Sequence, residues 1–185
     1  MFPPLRIIPA EADDLNRYID LLEDVADWLT QRGIDQWRPG NFRLAADYYA
    51  DSIARGEVQL ALSGDALVGT LRVLLRDPIV WPEIADDDAV YVYSLAVKRE
   101  CADQRLGARL LDWAGDRAAA LGRRYVRLDC MAHNAFMRRY YSQAGFLDRG
   151  DIDAEYPPPV GTLRLRRYEK NVGATAAAPV KTPVD

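Results

Sequence analysis

The chain has little of what disulfide or metal chemistry needs, with two cysteines and one histidine in 185 residues. These are too few for a usual four-ligand Cys/His zinc site, so we expect no metal centre. No apolar run approaches the ~20 residues of a membrane-spanning helix. An export signal is also missing from the first residues, so we expect a cytoplasmic protein that binds no membrane.

Basic charge is scarce, since 24 lysine and arginine residues face 28 aspartate and glutamate residues. The basic residues concentrate in 98–139, which holds 10 of them against 5 acidic residues. This asymmetry predicts a polyanionic ligand held locally, although any single arginine could equally be a solvated surface residue. An acidic protein with one basic segment is not typical of a nucleic-acid-binding domain, so we expect no nucleic-acid partner.

Hydrophobic periodicity predicts a mixed α/β fold in one domain over 1–172, followed by a disordered tail at 173–185. Apolar residues three and four apart predict helices at 15–29, 41–55, 106–121 and 134–144. Alternating or β-branched runs predict strands at 58–63, 66–75, 89–97, 125–131 and 162–166. The element order β-α-α-β-β-β-α-β-α-β-β predicts a mixed sheet with helices packed on it.

The passage from the strand at 89–97 to the helix at 106 is a candidate anion site. A helix N-terminus offers unpaired backbone N–H groups and the positive end of its dipole. Gly107 would let a ligand approach the backbone, and arginines flank the loop. A single glycine before a helix is a weak signal, because it more often marks a plain turn.

Two segments in this region resemble the motifs of a known family. Residues 93–121 resemble motif A of the GCN5-related N-acetyltransferases, the GNAT family, and residues 134–146 (NAFMRRYYSQAGF) resemble their motif B. The early GIDQW at 33–37 is also similar to sequences of small bacterial members. The resemblance covers 5–169 and implies the GNAT fold, a mostly antiparallel twisted sheet flanked by helices. It also implies acetyl transfer from acetyl-coenzyme A (acetyl-CoA) to an amine.

The resemblance also implies where the cofactor binds and which residue acts as the acid. The backbone of the strand would pair with the pantetheine arm, the loop amides would hold the pyrophosphate, and Tyr141 would protonate the leaving thiolate. A tyrosine hydroxyl can supply that proton and stabilise the developing charge. The residues implied for cofactor binding are Leu95, Ala96, Val97, Ala102, Asp103, Gln104, Arg105, Leu106, Gly107, Ala108, Asn134 and Arg138.

The sequence departs from the family pattern at two places. Ala102 replaces the usual arginine or glutamine of the pyrophosphate loop, and Arg105 replaces its first glycine. Arg105 could crowd the backbone cradle, but we expect it to swing over the pyrophosphate and add a charge-assisted bond. Tyr91 stands where many members place a glutamate base. A water relay, or a carboxylate from Asp35, Glu83 or 86–88, would then have to deprotonate the amine.

Several residues are candidates for the acceptor pocket: Trp37, Tyr91, Tyr93 and Glu83. Under strict alternation, Tyr91, Tyr93 and Leu95 share one face of the strand, although ordinary strand aromatics would give the same pattern.

The charge of residues 1–97, with 8 basic and 17 acidic groups (8 − 17 = −9), predicts a cationic or amine-bearing acceptor. We expect a small metabolite or antibiotic amine that attacks the thioester directly, in a monomer or homodimer. A peptide N-terminus or lysine is the rival acceptor. A coenzyme-A-binding module without catalysis is the alternative from another class, because the central-strand carboxylate is missing.

Overall fold

The structure is a computed structural model that describes residues 4–85, 87–158 and 160–173, with backbone but no side chains at 102–104. The strands are β1 (Leu5–Pro9), β2 (Val58–Ser63), β3 (Ala66–Leu74), β4 (Ala89–Val97), β5 (Tyr125–Met131), β6 (Leu147–Tyr156) and β7 (Gly161–Asn171). The α-helices are α1 (Leu15–Gln31), α2 (Asn41–Leu44), α3 (Ala46–Ala54), α4 (Leu106–Ala120) and α5 (Ala135–Gln143). Within those ranges, none of the helices has the length and apolar character to span a bilayer. Apart from Gly173, the predicted tail lies outside the described residues.

The seven strands form one sheet in the order β1-β2-β3-β4-β5-β7-β6. β4 and β5 run parallel, whereas the other neighbouring pairs are antiparallel. The expected mixed, mostly antiparallel sheet flanked by helices is therefore confirmed. The parallel pairing covers only 89–91 of β4 and 125–127 of β5, so the two strands separate beyond these residues.

Two predicted elements differ from the structure in extent. The helix expected at 41–55 is divided at Ala45, whose φ of −100° and ψ of 23° end α2 and begin α3. The last strand runs over Gly161–Asn171, well beyond the alternating 162–166. β7 is sandwiched between β5 and β6, so its second half is held by backbone pairing and does not need an alternating pattern.

Helices cover both faces of the sheet. α4 and α5 pack on one face, where Leu110 and Tyr141 join the strand residues Val126 and Leu128 in one apolar cluster. α1 and α3 pack on the other face and form a second cluster. The sheet residues near β4 therefore face either the α4 side or the α1 side, and this decides which part of a site each can reach.

A β-bulge interrupts β4 just before its end. Thr70 of β3 pairs with Ala96, whereas Arg72 pairs with Tyr93, so two residues of β4 lie opposite one residue of β3. Ser94, inside the bulge, has a φ of 49°, in the left-handed region that few residues other than glycine adopt. Bulges of this kind bend a strand and redirect the side chains that follow.

The bulge makes one sequence prediction wrong. Leu95 packs with Val92 on the α4 side of the sheet, whereas Tyr91 and Tyr93 belong to the cluster on the opposite face. Tyr91, Tyr93 and Leu95 therefore do not share a face, because the extra residue at Ser94 reverses the alternation beyond it. The physical result is that β4 presents side chains to both sides of the sheet at the point where it leaves β5.

A buried carboxylate fixes the loop between α1 and α2. Glu23 of α1 is 7% exposed, and its Oε2 accepts a hydrogen bond from the Gly40 amide at 2.6 Å. Its Oε1 accepts from the Arg43 amide at 2.9 Å. These amides open α2, which has no side-chain cap of its own, so Glu23 takes the role of a cap from a neighbouring helix. The loop held in this way carries Trp37.

We expect Glu23→Ala to lower the free energy of unfolding by about 2 kcal/mol, because two partly buried hydrogen bonds to a charged acceptor are lost. Chemical denaturation measures this. The neighbouring exposed variant Asp24→Ala is the control and should change stability by no more than about 0.5 kcal/mol. Equal midpoints for the two variants would show that the Glu23 cap does not stabilise the fold.

Candidate active site

A cavity of about 310 Å³ lies where β4 and β5 separate. Its lining on the α4 side includes Leu95, Val97, Gly107, Met137, Tyr140 and Tyr141. Its lining on the α1 side includes Val25, Trp28, Leu29, Trp37, Tyr93 and Asp129. The cavity therefore passes through the sheet, from one face to the other, along the gap between the two strands.

The start of α4 forms one wall of this cavity. No side chain caps the helix, and Arg105 precedes it with a φ of 53°, the left-handed conformation that a glycine would adopt freely. A Cβ added at Gly107 would lie 2.5 Å from the Tyr140 hydroxyl oxygen, so only glycine leaves room for that ring. The uncapped N–H groups of the first turn remain available to an anion. Ala102, Asp103 and Gln104, whose backbone amides are predicted to hold the pyrophosphate, lie in the 3-10 turn Arg99–Gln104 just before α4.

Asn134, a predicted cofactor residue, has its side chain engaged by the protein. Its Oδ1 accepts from the Met137 amide at 3.1 Å and caps α5. Its Nδ2 donates to Gln36 Oε1 at 3.0 Å, and the same oxygen accepts from the Met131 amide at 3.2 Å. Gln36, which the sequence reasoning missed, thus ties the α1–α2 loop to the end of β5. A second contact joins Asp35 to His133 at 3.5 Å.

Arg138 lies away from the cavity. It lines a separate cleft between α5 and the β6–β7 pair, with Asp148 and Tyr168. On α5, Met137, Tyr140 and Tyr141 turn toward the cavity, so the 100° step per residue directs Arg138 elsewhere. The structure therefore separates Arg138 from the other predicted cofactor residues.

The four predicted acceptor residues divide into two pairs. Trp37 and Tyr93 line the cavity. Tyr91 is 2% exposed and does not line it, and its hydroxyl accepts a hydrogen bond from Arg127 at 2.9 Å. Glu83 accepts from Arg167 at 2.6 Å on the protein surface. The interactions of Tyr91 and Glu83 link strands far apart in sequence, so the local pattern could not show that both residues are engaged outside the pocket.

None of the described carboxylates that were considered as a base reaches the cavity. Glu83 and Asp35 are engaged as described above, Asp87 pairs with Arg76 at 3.0 Å, and Asp88 pairs with Arg124. Asp86 lies outside the described residues.

The carboxylate that does line the cavity is Asp129 of β5, which the sequence reasoning missed. The available signal was a charged residue between Leu128 and Cys130, at an alternating position of a buried strand.

Asp129 has the environment of a strongly perturbed acid. Burial, together with the nearby Asp77, raises the pKa of its carboxyl to about 7. Among the described residues, no hydrogen-bond donor or ion-pair partner reaches it. Tyr93 donates instead to Asp77 at 2.6 Å, and burial next to Asp129 raises the pKa of this tyrosine so that it stays protonated. In the described ranges, no three metal-ligating side chains come together to hold a metal ion.

Comparison with known proteins identifies the family to which this fold and cavity belong. Residues 22–146 match the profile of the acetyltransferase (GNAT) family. The chain belongs to the GNAT family. It is 29% identical over 144 residues to the uncharacterized N-acetyltransferase YesJ of Bacillus subtilis, covering 75% of this chain and 79% of that protein. It is an acetyltransferase that depends on acetyl-CoA.

Solved structures show the same fold. A GNAT-family acetyltransferase from Listeria monocytogenes superposes with a TM-score of 0.74 at 23% identity, covering 90% of this chain and 94% of that chain. The protein yncA from Salmonella typhimurium, solved with its cofactor acetyl-CoA, superposes with a TM-score of 0.62 at 16% identity, covering 96% and 99%.

The residues of this GNAT protein fit acetyl-CoA. The unpaired edge of β4 at 92–97, the uncapped start of α4 and the close approach at Gly107 offer backbone groups along one side of the cavity. Tyr141 and Asp129 line the same gap between β4 and β5 that would receive the thioester arm.

We expect Asp129→Asn to stabilise the protein at alkaline pH. An acid whose pKa is raised on folding loses stability as pH climbs from its unfolded pKa of about 4 to its folded pKa of about 7. The asparagine variant should therefore melt at least about 3 °C higher than the parent at pH 8.5, with a gap that shrinks toward pH 5. Asp116→Asn, an exposed variant on α4 with the same charge loss, is the control. A gap that does not change with pH would contradict the buried, perturbed state of Asp129.

Proposed function

We propose that this protein transfers the acetyl group of acetyl-CoA to the primary amine of a small molecule by direct attack. The observation that carries the proposal is the position of Asp129 and Tyr141 in one cavity, on opposite sides of the gap between β4 and β5. A proton acceptor for the amine and a proton donor for the leaving group are thus both present in the lining of one cavity.

Acetyl-CoA, when bound, supplies the acetyl group and a thiolate leaving group. Asp129 accepts a proton from the amine, and its pKa of about 7 suits a base that works near neutral pH. Burial raises the pKa of Tyr141 well above its usual value, so the hydroxyl keeps its proton until the leaving group takes it. The ring is held for this role by contacts with Tyr140 and Tyr168.

Direct attack is favoured because no thiol is placed to form a covalent intermediate. Cys101 and Cys130 are both buried, and neither lines the cavity. Burial raises the pKa of Cys130 to about 12, so its thiolate is not available at neutral pH.

A small acceptor fits the site better than a peptide. The α1–α2 loop crosses the cavity and is fastened to the end of β5 by the Gln36 hydrogen bonds and the contact between Asp35 and His133. A peptide would need an open groove at this place. The non-catalytic alternative rested on the missing β4 carboxylate, and Asp129 on the neighbouring strand supplies one.

We expect Tyr141→Phe and Asp129→Asn each to lower kcat by about 10²–10⁴, the range typical of a lost general acid or base. Release of free thiol from acetyl-CoA across an amine panel measures this. For the parent, kcat/KM should rise with pH through about 7, because Asp129 must be ionised, and this limb should vanish in Asp129→Asn.

Asp116→Asn is the control for that experiment and should keep the activity of the parent. Full turnover by Asp129→Asn would remove Asp129 from the role of base. Binding of acetyl-CoA without turnover on any amine would favour the non-catalytic module.

A further inference from the structure

The acidic excess of the first half of the chain does not face the cavity. None of its described carboxylates lines the cavity, and several are engaged elsewhere: Asp20 pairs with Arg43 at 2.7 Å, Glu57 pairs with Arg55 at 2.7 Å, and Glu23 caps α2. Among the described lining residues, Asp129 is the one carboxylate. The cavity therefore offers one negative charge, which can match one ammonium group.

The acceptor end of the cavity has a largely apolar wall. Val25 and Leu29 of α1 form its floor together with Trp28 and Trp37. Trp37 is held edge-on against Phe42 with ring centroids 5.2 Å apart. Such a wall can bury hydrocarbon, and it holds no carboxylate that would pair with a second ammonium group.

Guanidinium groups border the same end of the cavity. Arg99 lines the cavity, and its guanidinium carbon lies 3.7 Å from the centroid of the Trp28 ring. The guanidinium of Arg32 lies 5.1 Å from the same centroid. Within the described part of the chain, neither arginine forms an ion pair. Their positive charge disfavours an acceptor that brings a second cation to this position.

On the basis of the proposed acetyl transfer, we infer that the acceptor is a monoamine with an apolar chain or ring, and not a polyamine or other polycation. The amine lies beside Asp129, and the apolar body lies against Trp28 and Trp37. The acceptor then carries one positive charge, that of its own ammonium group, which narrows the expectation of a cationic or amine-bearing acceptor drawn from the net charge of residues 1–97.

A matched series of amines tests this inference with the full-length protein and acetyl-CoA. From propylamine to hexylamine, kcat/KM should rise about fourfold per methylene, the factor expected for burying one CH₂ group. The diamine 1,4-diaminobutane replaces the last methyl of pentylamine with an ammonium. It should react at least about 100-fold less efficiently than pentylamine, because its second charge is buried without a partner.

Two variants of Trp37 localise the effect. Trp37→Ala should lower kcat/KM for hexylamine at least about tenfold while changing the value for propylamine by less than about twofold, since only the longer chain reaches the indole. Trp37→Glu should raise the ratio of kcat/KM for 1,4-diaminobutane to kcat/KM for pentylamine by at least about tenfold. Leu44→Ala, at a position 88% exposed on α2, is the control and should leave both ratios unchanged.

The outcomes separate the two proposals. Turnover of diamines at or above the level of pentylamine would overturn the inference while acetyl transfer stands. Preference for 6-aminohexanoate over hexylamine would also overturn it, because Arg99 would then bind the carboxylate of the acceptor. No turnover on any amine would instead reject the proposed function, and the inference with it.

Discussion

The site depends on how firmly β4 and β5 are joined before they separate. Arg127 of β5 is 3% exposed, and it donates to Glu169 of β7 at 2.7 Å and to Tyr91 of β4 at 2.9 Å. This buried network closes the last paired positions of the two strands, and the bulge at Ser94 then redirects β4. A gap that is fixed at one end can stay open at the other without loosening the sheet, so the cavity is preformed.

The same network explains why a carboxylate at position 91 of β4 would be a poor base. A glutamate in place of Tyr91 would lie against the Arg127 guanidinium, which would hold its pKa low and leave it a poor base. The Tyr91 hydroxyl accepts a hydrogen bond from Arg127 without adding a second negative charge. None is needed, because Glu169 already neutralises the Arg127 guanidinium. Asp129 lies two residues further along β5, past the last paired position, where no described cation faces it. Moving the carboxylate to the neighbouring strand keeps the ion pair and the base apart.

Sequence periodicity predicted the order of elements, because the apolar residues on the buried face of each helix or strand recur at the spacing of that element. The two family motifs led to Tyr141 and to the start of α4. Neither source could show the bulge at Ser94, since one extra residue in a strand leaves no periodic trace. Ion pairs such as Arg167 with Glu83 join residues far apart in the chain, so no local pattern reveals them. Asp129 was missed because the pattern of β5 predicts a buried strand, and a single acidic residue within such a pattern does not indicate a functional site.

Net charge over a segment does not set the potential inside a cavity, for a related reason. Surface carboxylates that pair with arginines a few ångströms away present almost no field beyond the Debye length of about 8–10 Å. The potential inside the cavity is set by Asp129 and by the guanidinium of Arg99 at the rim. An ammonium beside Asp129 favours the ionised carboxylate, so amine binding and the readiness of the base are thermodynamically linked. A second ammonium would have no carboxylate partner, so the cost of removing it from water would select against an acceptor that carries one.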